Sequence, residues 1–305
     1  MLLGKTIRVH LVNGKPSGIL TAEIINWTGS VLVSPRAKLS ELAKREEVRR
    51  TGIYCLVGLD PENPLRDIVY IGEGDNVLKR LMKHDKDELK DFWTRCVVVI
   101  SKDQNITKSH GRYVESRLIA MVQRAGRAKL NNGTAPPLPQ MPESDVADME
   151  YFIEQLEIVF PVLGFNFLQP KPVISTDGST PSDSDSPLFA LSVVGAEAKA
   201  REANGEFVVL KGSTARIEGR SSWTSYKALR DQLVEESTLV PDEAKEFYVF
   251  QDDVAFSSPS AGGAVVNAGN FNGRTAWKVE ATGLTYQQWH ERKLQDFDSP
   301  DDENE

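Results

Sequence analysis

Two tyrosines, an arginine and a histidine fall within one short stretch of the 305-residue chain, and together they suit the handling of a phosphodiester. Tyr54 closes the triplet Gly52-Ile53-Tyr54, Tyr70 opens Tyr70-Ile71-Gly72, and Arg80 and His84 follow four residues apart. That spacing puts a guanidinium and an imidazole on one face of a helix. A guanidinium neutralises phosphate oxygens, an imidazole moves protons near neutral pH, and a phenol can orient or deprotonate a water.

Local sequence patterns indicate the elements that must hold these four side chains. Tyr54-Cys55-Leu56-Val57 is apolar enough for a buried strand, and Ile68-Val69-Tyr70-Ile71-Gly72 reads as a second. Between them Asp60-Pro61-Glu62-Asn63-Pro64 breaks the run, so the two form an antiparallel pair that brings the tyrosines together. Glu73-Gly74-Asp75-Asn76 then offers turn and N-cap chemistry. Val77, Leu78, Leu81 and Met82 recur at helical spacing behind it, which predicts the helix that carries Arg80 and His84.

In this order the residues resemble the GIY-YIG nuclease family: Gly-Ile-Tyr, a spacer, Tyr-Ile-Gly, then an arginine eight residues after the second glycine. The histidine four residues later resembles a feature of some of that family's restriction enzymes. The resemblance covers about residues 51–133. It implies a glutamate on the next helix, which Tyr113-Val114-Glu115-Ser116-Arg117-Leu118-Ile119 supplies as Glu115, and then an asparagine, for which Asn131 and Asn132 compete with Asn132 favoured. It further implies a divalent-metal-dependent DNA endonuclease: Tyr54 as general base, Arg80 and Tyr70 on the phosphate, Glu115 on one Mg²⁺ or Mn²⁺, and Asn132 bracing the site. A free phenol titrates near 10, so a basic Tyr54 calls for nearby positive charge from Arg80, His84 or the metal. The alternative is a catalytically silent nucleic-acid-binding or protein-interaction protein on the same scaffold.

Composition and charge bear on the rest. With 40% hydrophobic and 26% charged residues the chain suits a soluble protein of two or three domains. No stretch reaches the length needed to span a bilayer, so no membrane association is expected. Only two cysteines occur, Cys55 and Cys96, each inside an apolar run; they read as buried thiols, and a reducing cytoplasm is the expected location. The net charge of −8 hides a division. Residues 1–133 hold 23 Lys and Arg against 15 Asp and Glu, a net of +8, and the remainder holds 13 against 29. DNA is therefore the expected partner of the N-terminal half, while a protein partner or self-association falls to the C-terminal one.

The expected fold is α+β: a small central antiparallel sheet flanked by helices, an N-terminal β-rich segment, and a separate small α+β domain at the C-terminus. Residues 1–50 carry the β-rich segment and a short charged helix from Lys38 to Arg50, whose Lys44-Arg45 and Arg49-Arg50 could touch a DNA backbone. Residues 51–169 form the nuclease-like domain, in which Cys96-Val97-Val98-Val99-Ile100 should be a central strand paired with the tyrosine strands and Trp27 a core residue. Ser144 to Val159 reads as an acidic amphipathic helix packed back on that domain. Residues 170–187 are nearly free of apolar side chains and read as a flexible linker. Residues 188–293 form the second domain, which resembles an uncharacterised domain that often follows GIY-YIG modules in bacteria, and 294–305 form an acidic tail.

Overall fold

The computed structural model describes residues 4–134, 136–170, 186–219 and 223–295. The chain divides into two compact units, residues 1–170 and 171–305. Most of the expected linker and all but the first two residues of the expected tail lie outside the described residues. The chain is α+β, as its patterning indicates.

The first unit is built on one seven-stranded sheet. Its strands are β1 (Ile7–Leu11), β2 (Leu20–Ile24), β3 (Gly29–Pro35), β4 (Gly52–Asp60), β5 (Asn63–Gly74), β6 (Arg95–Ser101) and β7 (Ala128–Leu130). In space they run β1-β2-β3-β6-β4-β5-β7. β6 pairs antiparallel with both β3 and β4, so it joins the N-terminal strands to the tyrosine pair in a single layer. The sheet is accordingly wider than the small one expected. The N-terminal β-rich segment is part of it because Val31, Leu32 and Val33 bury their side chains beside Val97, Val98 and Val99.

The charged segment before Gly52 is not one helix. A single α-helical turn, α1 (Leu39–Leu42), stands between two 3₁₀ turns at Arg36–Lys38 and Glu46–Arg49, and only Leu42 and Val48 are buried anchors within them. Arg45 pairs with Glu47, Arg49 donates to the Ala43 carbonyl, and Arg50 reaches the carbonyl of Lys102. These arginines are spent on local structure, which weakens the expectation that they track DNA.

Both faces of the sheet are covered. Over one face lies α2 (Val77–Asp85), which buries Val77, Leu78 and Leu81 beside Tyr54, Leu56, Val98 and Trp93. Over the other lies α3 (Lys108–Ala125), with Val114, Leu118 and Val122 against Ile53, Cys55 and Ile71. Cys55 and Cys96 are buried free thiols. The helix α4 (Glu143–Val162) packs behind α3: Glu150 accepts from Arg117 Nη2 at 2.7 Å and from Tyr113 Oη at 2.6 Å. Phe152, which joins the same core, packs against Trp27 with ring centroids 4.9 Å apart.

The second unit holds a five-stranded and a three-stranded antiparallel sheet. The first uses β8 (Phe189–Val193), β9 (Ala196–Ala203), β10 (Glu206–Val209), β14 (Val254–Phe256) and β15 (Lys278–Val279). The other uses β11 (Thr214–Arg216), β12 (Leu239–Pro241) and β13 (Phe247–Phe250). Its helices are α5 (Lys227–Glu235), α6 (Pro259–Asn267), α7 (Gly273–Ala276) and α8 (Tyr286–Gln295). Small residues make up much of α6, which reads Pro259-Ser260-Ala261-Gly262-Gly263-Ala264-Val265-Val266-Asn267. Ser258 accepts the Ala261 N–H at its N-cap, and Ala261, Val265 and Val266 are buried in the unit's core.

Among the described residues no helix is long and apolar enough to cross a membrane.

Candidate active site

Two elements of sheet geometry assemble the candidate site. The β4–β5 register sets Tyr54 opposite Gly72, which turns both and Tyr70 toward α2. A Cβ built on Gly72 would lie 2.4 Å from the Tyr54 hydroxyl oxygen, so only glycine leaves room for that ring. Gly52 is needed for a similar reason, since its Cβ would stand 2.4 Å from the Val99 carbonyl oxygen. We expect Gly72→Ala to cost about 1–3 kcal/mol through overpacking and to push the phenol out of place; thermal melts read the first effect and tyrosine-dependent turnover the second.

Tyr54, Tyr70 and His84 form one ring cluster. Centroids lie 6.2 Å apart for the tyrosine pair, 5.6 Å for Tyr54–His84 and 5.1 Å for Tyr70–His84. Tyr54 is 1% exposed, and its hydroxyl lies 2.8 Å from His84 Nε2. Burial raises the Tyr54 phenol above its ordinary range, the neighbouring Tyr70 adds to this, and Arg80 opposes it without prevailing. Burial also holds His84 down to about 4, helped by the charges of Lys90 and Arg80. That lowering disfavours His84 as the positive charge beside Tyr54, the other candidates for which are Arg80 and a metal ion. An uncharged imidazole with its proton on Nδ1 can accept a hydrogen bond from the Tyr54 hydroxyl at Nε2. Arg80 and His84 share α2 as expected, yet their ends part: His84 is buried with the tyrosines, whereas Arg80 is exposed and bends to the edge of the sheet.

That edge is the second organiser. Alternate residues of a strand aim their backbone groups at opposite neighbours, and Val69, Ile71 and Glu73 aim theirs away from β4. β7 pairs with β5 only as far as Val69, and the Asn131 N–H donates to the Val69 carbonyl at 2.8 Å. Beyond it Asn132 replaces the missing strand, accepting the Ile71 N–H at 2.9 Å and donating to the Ile71 carbonyl at 2.7 Å. One residue pair further on, Arg80 Nε donates to the Glu73 carbonyl at 3.3 Å, and the Glu73 N–H is turned to the Glu115 carboxylate. Asn132, Arg80 and Glu115 are thus strung along the open edge of the strand that carries Tyr70.

Glu115 is half-buried on α3, and its carboxyl is pushed up to about 7, first by burial and then by the charge of Glu73, with Arg80 and Arg112 pulling the other way. Its charge also raises both Tyr54 and Tyr70, while Arg80 lowers both. The structure thereby brings the six sequence-selected residues to one end of β5. Asn131, the competing asparagine, instead accepts from Lys90 Nζ at 2.8 Å.

Two neighbours were missed. Lys90 Nζ sits 3.5 Å from the centre of the Tyr70 ring, brought there by a 3₁₀ turn at Glu88–Lys90. No periodic signal marks that turn, so nothing in the sequence could have singled out its lysine. Glu73 follows Gly72 directly and is buried. Its signal was available: with Ile71 facing a core, the residue two further along the strand faces the same side, and there it is a carboxylate.

A divalent cation suits this arrangement. The Glu115 carboxyl is raised first by burial and then by the charge of Glu73, Arg80 and Arg112 offset this only in part, and a bound cation would relieve it. Among the described residues no group of three or more histidine, cysteine or acidic side chains is placed to hold a metal ion.

Comparison with known proteins reaches the other unit. Residues 189–290 match the family described as "Domain of unknown function (DUF4357)". No match to the GIY-YIG family accompanies it. No curated protein and no solved structure matches the chain.

Proposed function

We propose that the first unit is a divalent-metal-dependent endonuclease of GIY-YIG type that hydrolyses DNA phosphodiester bonds in the cytoplasm, with the DUF4357 unit serving a separate binding role. The observation that carries this reading is the Tyr54 hydroxyl 2.8 Å from an uncharged His84 at one end of a strand whose edge binds Arg80 and meets Glu115. Hydrolysis requires a proton to leave the attacking water as the P–O bond to the leaving oxygen breaks. Tyr54 Oη takes the water's proton and passes its own to His84 Nε2, so the phenol never has to exist as a free phenolate. Arg80 and the Tyr70 hydroxyl hold the phosphate oxygens as charge builds on them. When bound, the Mg²⁺ at Glu115 would supply the Lewis acid and the charge that the leaving oxygen needs. Asn132 keeps the Tyr70 strand in register beside it.

DNA docking needs a local cationic surface, because the unit as a whole is only slightly basic. α4 and its flanks add six acids and no basic residue, which brings residues 1–170 to 23 Lys and Arg against 21 Asp and Glu. Exposed Lys79, Lys83 and Lys86 line α2 beside Arg80 and form the surface that meets the phosphates. We expect the full chain to bind duplex DNA with an affinity that falls steeply with salt, and each of Lys83→Ala and Lys86→Ala to lower the logarithmic salt slope by about one. Unchanged slopes in both variants, measured by fluorescence anisotropy, would place the DNA elsewhere.

A further inference from the structure

Glu73 has a place in the fold that no role assigned so far explains. It is 7% exposed, yet Oε2 is a buried oxygen with no hydrogen-bond partner. Among the described residues the cation paired with it is Arg112, whose Nε stands 3.9 Å from Oε1 and whose side chain is 58% exposed. Arg80 approaches the same residue but spends its Nε on the backbone carbonyl. Leaving a carboxylate oxygen buried and unpaired is costly, so Oε2 calls for a positive partner that the described residues do not supply.

The direction of that oxygen identifies the partner. Glu73 Oε2 lies 3.8 Å from where a Cβ of Gly111 would stand, so the carboxylate rests against the Gly111 face of α3. Gly111 and Glu115 are four residues apart and therefore stack on that same face. The Glu73 backbone N–H is turned to the Glu115 carboxylate as well. Two carboxylates from different elements thus converge on the end of β5, one of them with a free oxygen, at the point where Arg80 also arrives.

We propose that Glu73 is a second carboxylate of the cation site at Glu115, the two side chains holding one hydrated divalent ion between them. This deepens the nuclease reading and rests on it only in assigning Glu115 to a metal. A hard cation with its own waters meets both needs, since carboxylate oxygens are its preferred ligands and the waters satisfy what the protein leaves open.

The test is Mn²⁺ binding to the full chain without DNA, followed by the fall in free-Mn²⁺ paramagnetic resonance signal, for wild type, Glu73→Gln and Glu115→Gln, with thermal melts of each. Glu73→Gln should remain folded and lose about 10- to 100-fold in Mn²⁺ affinity, and Glu115→Gln should lose at least as much. Should Glu73→Gln prove unstable, Glu73→Asp, which keeps the charge but withdraws the oxygen, should weaken binding in the same direction. Wild-type Mn²⁺ affinity in the Glu73 variants with loss in Glu115→Gln overturns the proposal while leaving the nuclease reading intact; Glu73 is then only the partner of Arg112. Unaltered affinity in all variants, or no Mn²⁺ binding by wild type, removes the metal from both residues.

Discussion

Glu115→Ala is expected to eliminate Mg²⁺-dependent DNA cleavage, a loss of more than about a thousandfold, because several kcal/mol of transition-state charge stabilisation go with the metal. Folding should survive the change. Glu115 is a half-buried carboxylate whose ionisation is already resisted by burial and by Glu73, so its removal relieves a like-charge contact and leaves the α3 core of Val114, Leu118 and Val122 in place. DNA affinity should be near that of wild type, since Arg80 and the lysines of α2 remain. Single-turnover cleavage, anisotropy and thermal melts separate the three quantities. Cleavage by the variant at the wild-type rate would remove Glu115 from the reaction.

Tyr54→Phe tests the proton path. The variant keeps the ring over Gly72 and the packing against Tyr70 and His84, and loses only the hydroxyl bonded to Nε2. Turnover should fall by about 10² to 10⁴, the usual worth of a general base. The stability cost should be about 1 kcal/mol, because one neutral hydrogen bond is lost and His84 Nε2 is left without its partner. His84→Gln should share much of the rate loss, as the relay needs an acceptor for the tyrosine proton. A Tyr54→Phe protein with altered melting and wild-type turnover would make Tyr54 a core residue and nothing more.

How much of this was legible in the sequence depends on range. The strand pair, the helix behind Asn76, the helix of Glu115 and the small-residue helix after Ser258 each declare themselves by local periodicity and caps, and each is present. The charged stretch before Gly52 misleads because its charges suggest one solvated helix, while the buried anchors Leu42 and Val48 fall six apart and fit no single helical face. The union of the N-terminal strands with β6 is a long-range pairing, which alternation along one strand cannot report. The same holds within the site. Tyrosines and charges can be named from spacing, but that Arg80 turns to the strand edge while His84 turns inward depends on packing. So does the difference between Asn131, taken by Lys90, and Asn132, taken by Ile71. Glu73 lies within reach of the two-residue periodicity of its strand, which puts it on the side of Ile71, but that its carboxylate is buried there depends on the packing of α3.

The most direct test of the nuclease assignment is cleavage by the wild-type full chain of duplex, nicked, branched and single-stranded DNA, with Mg²⁺ and with excess EDTA. Cutting of at least one of these substrates in Mg²⁺, and of none in EDTA, is the predicted result. A folded protein that binds DNA with the expected salt dependence and yet cuts no substrate in either Mg²⁺ or Mn²⁺ would contradict the account, and would make the Tyr54–His84 cluster the remnant of a site in a nucleic-acid-binding protein.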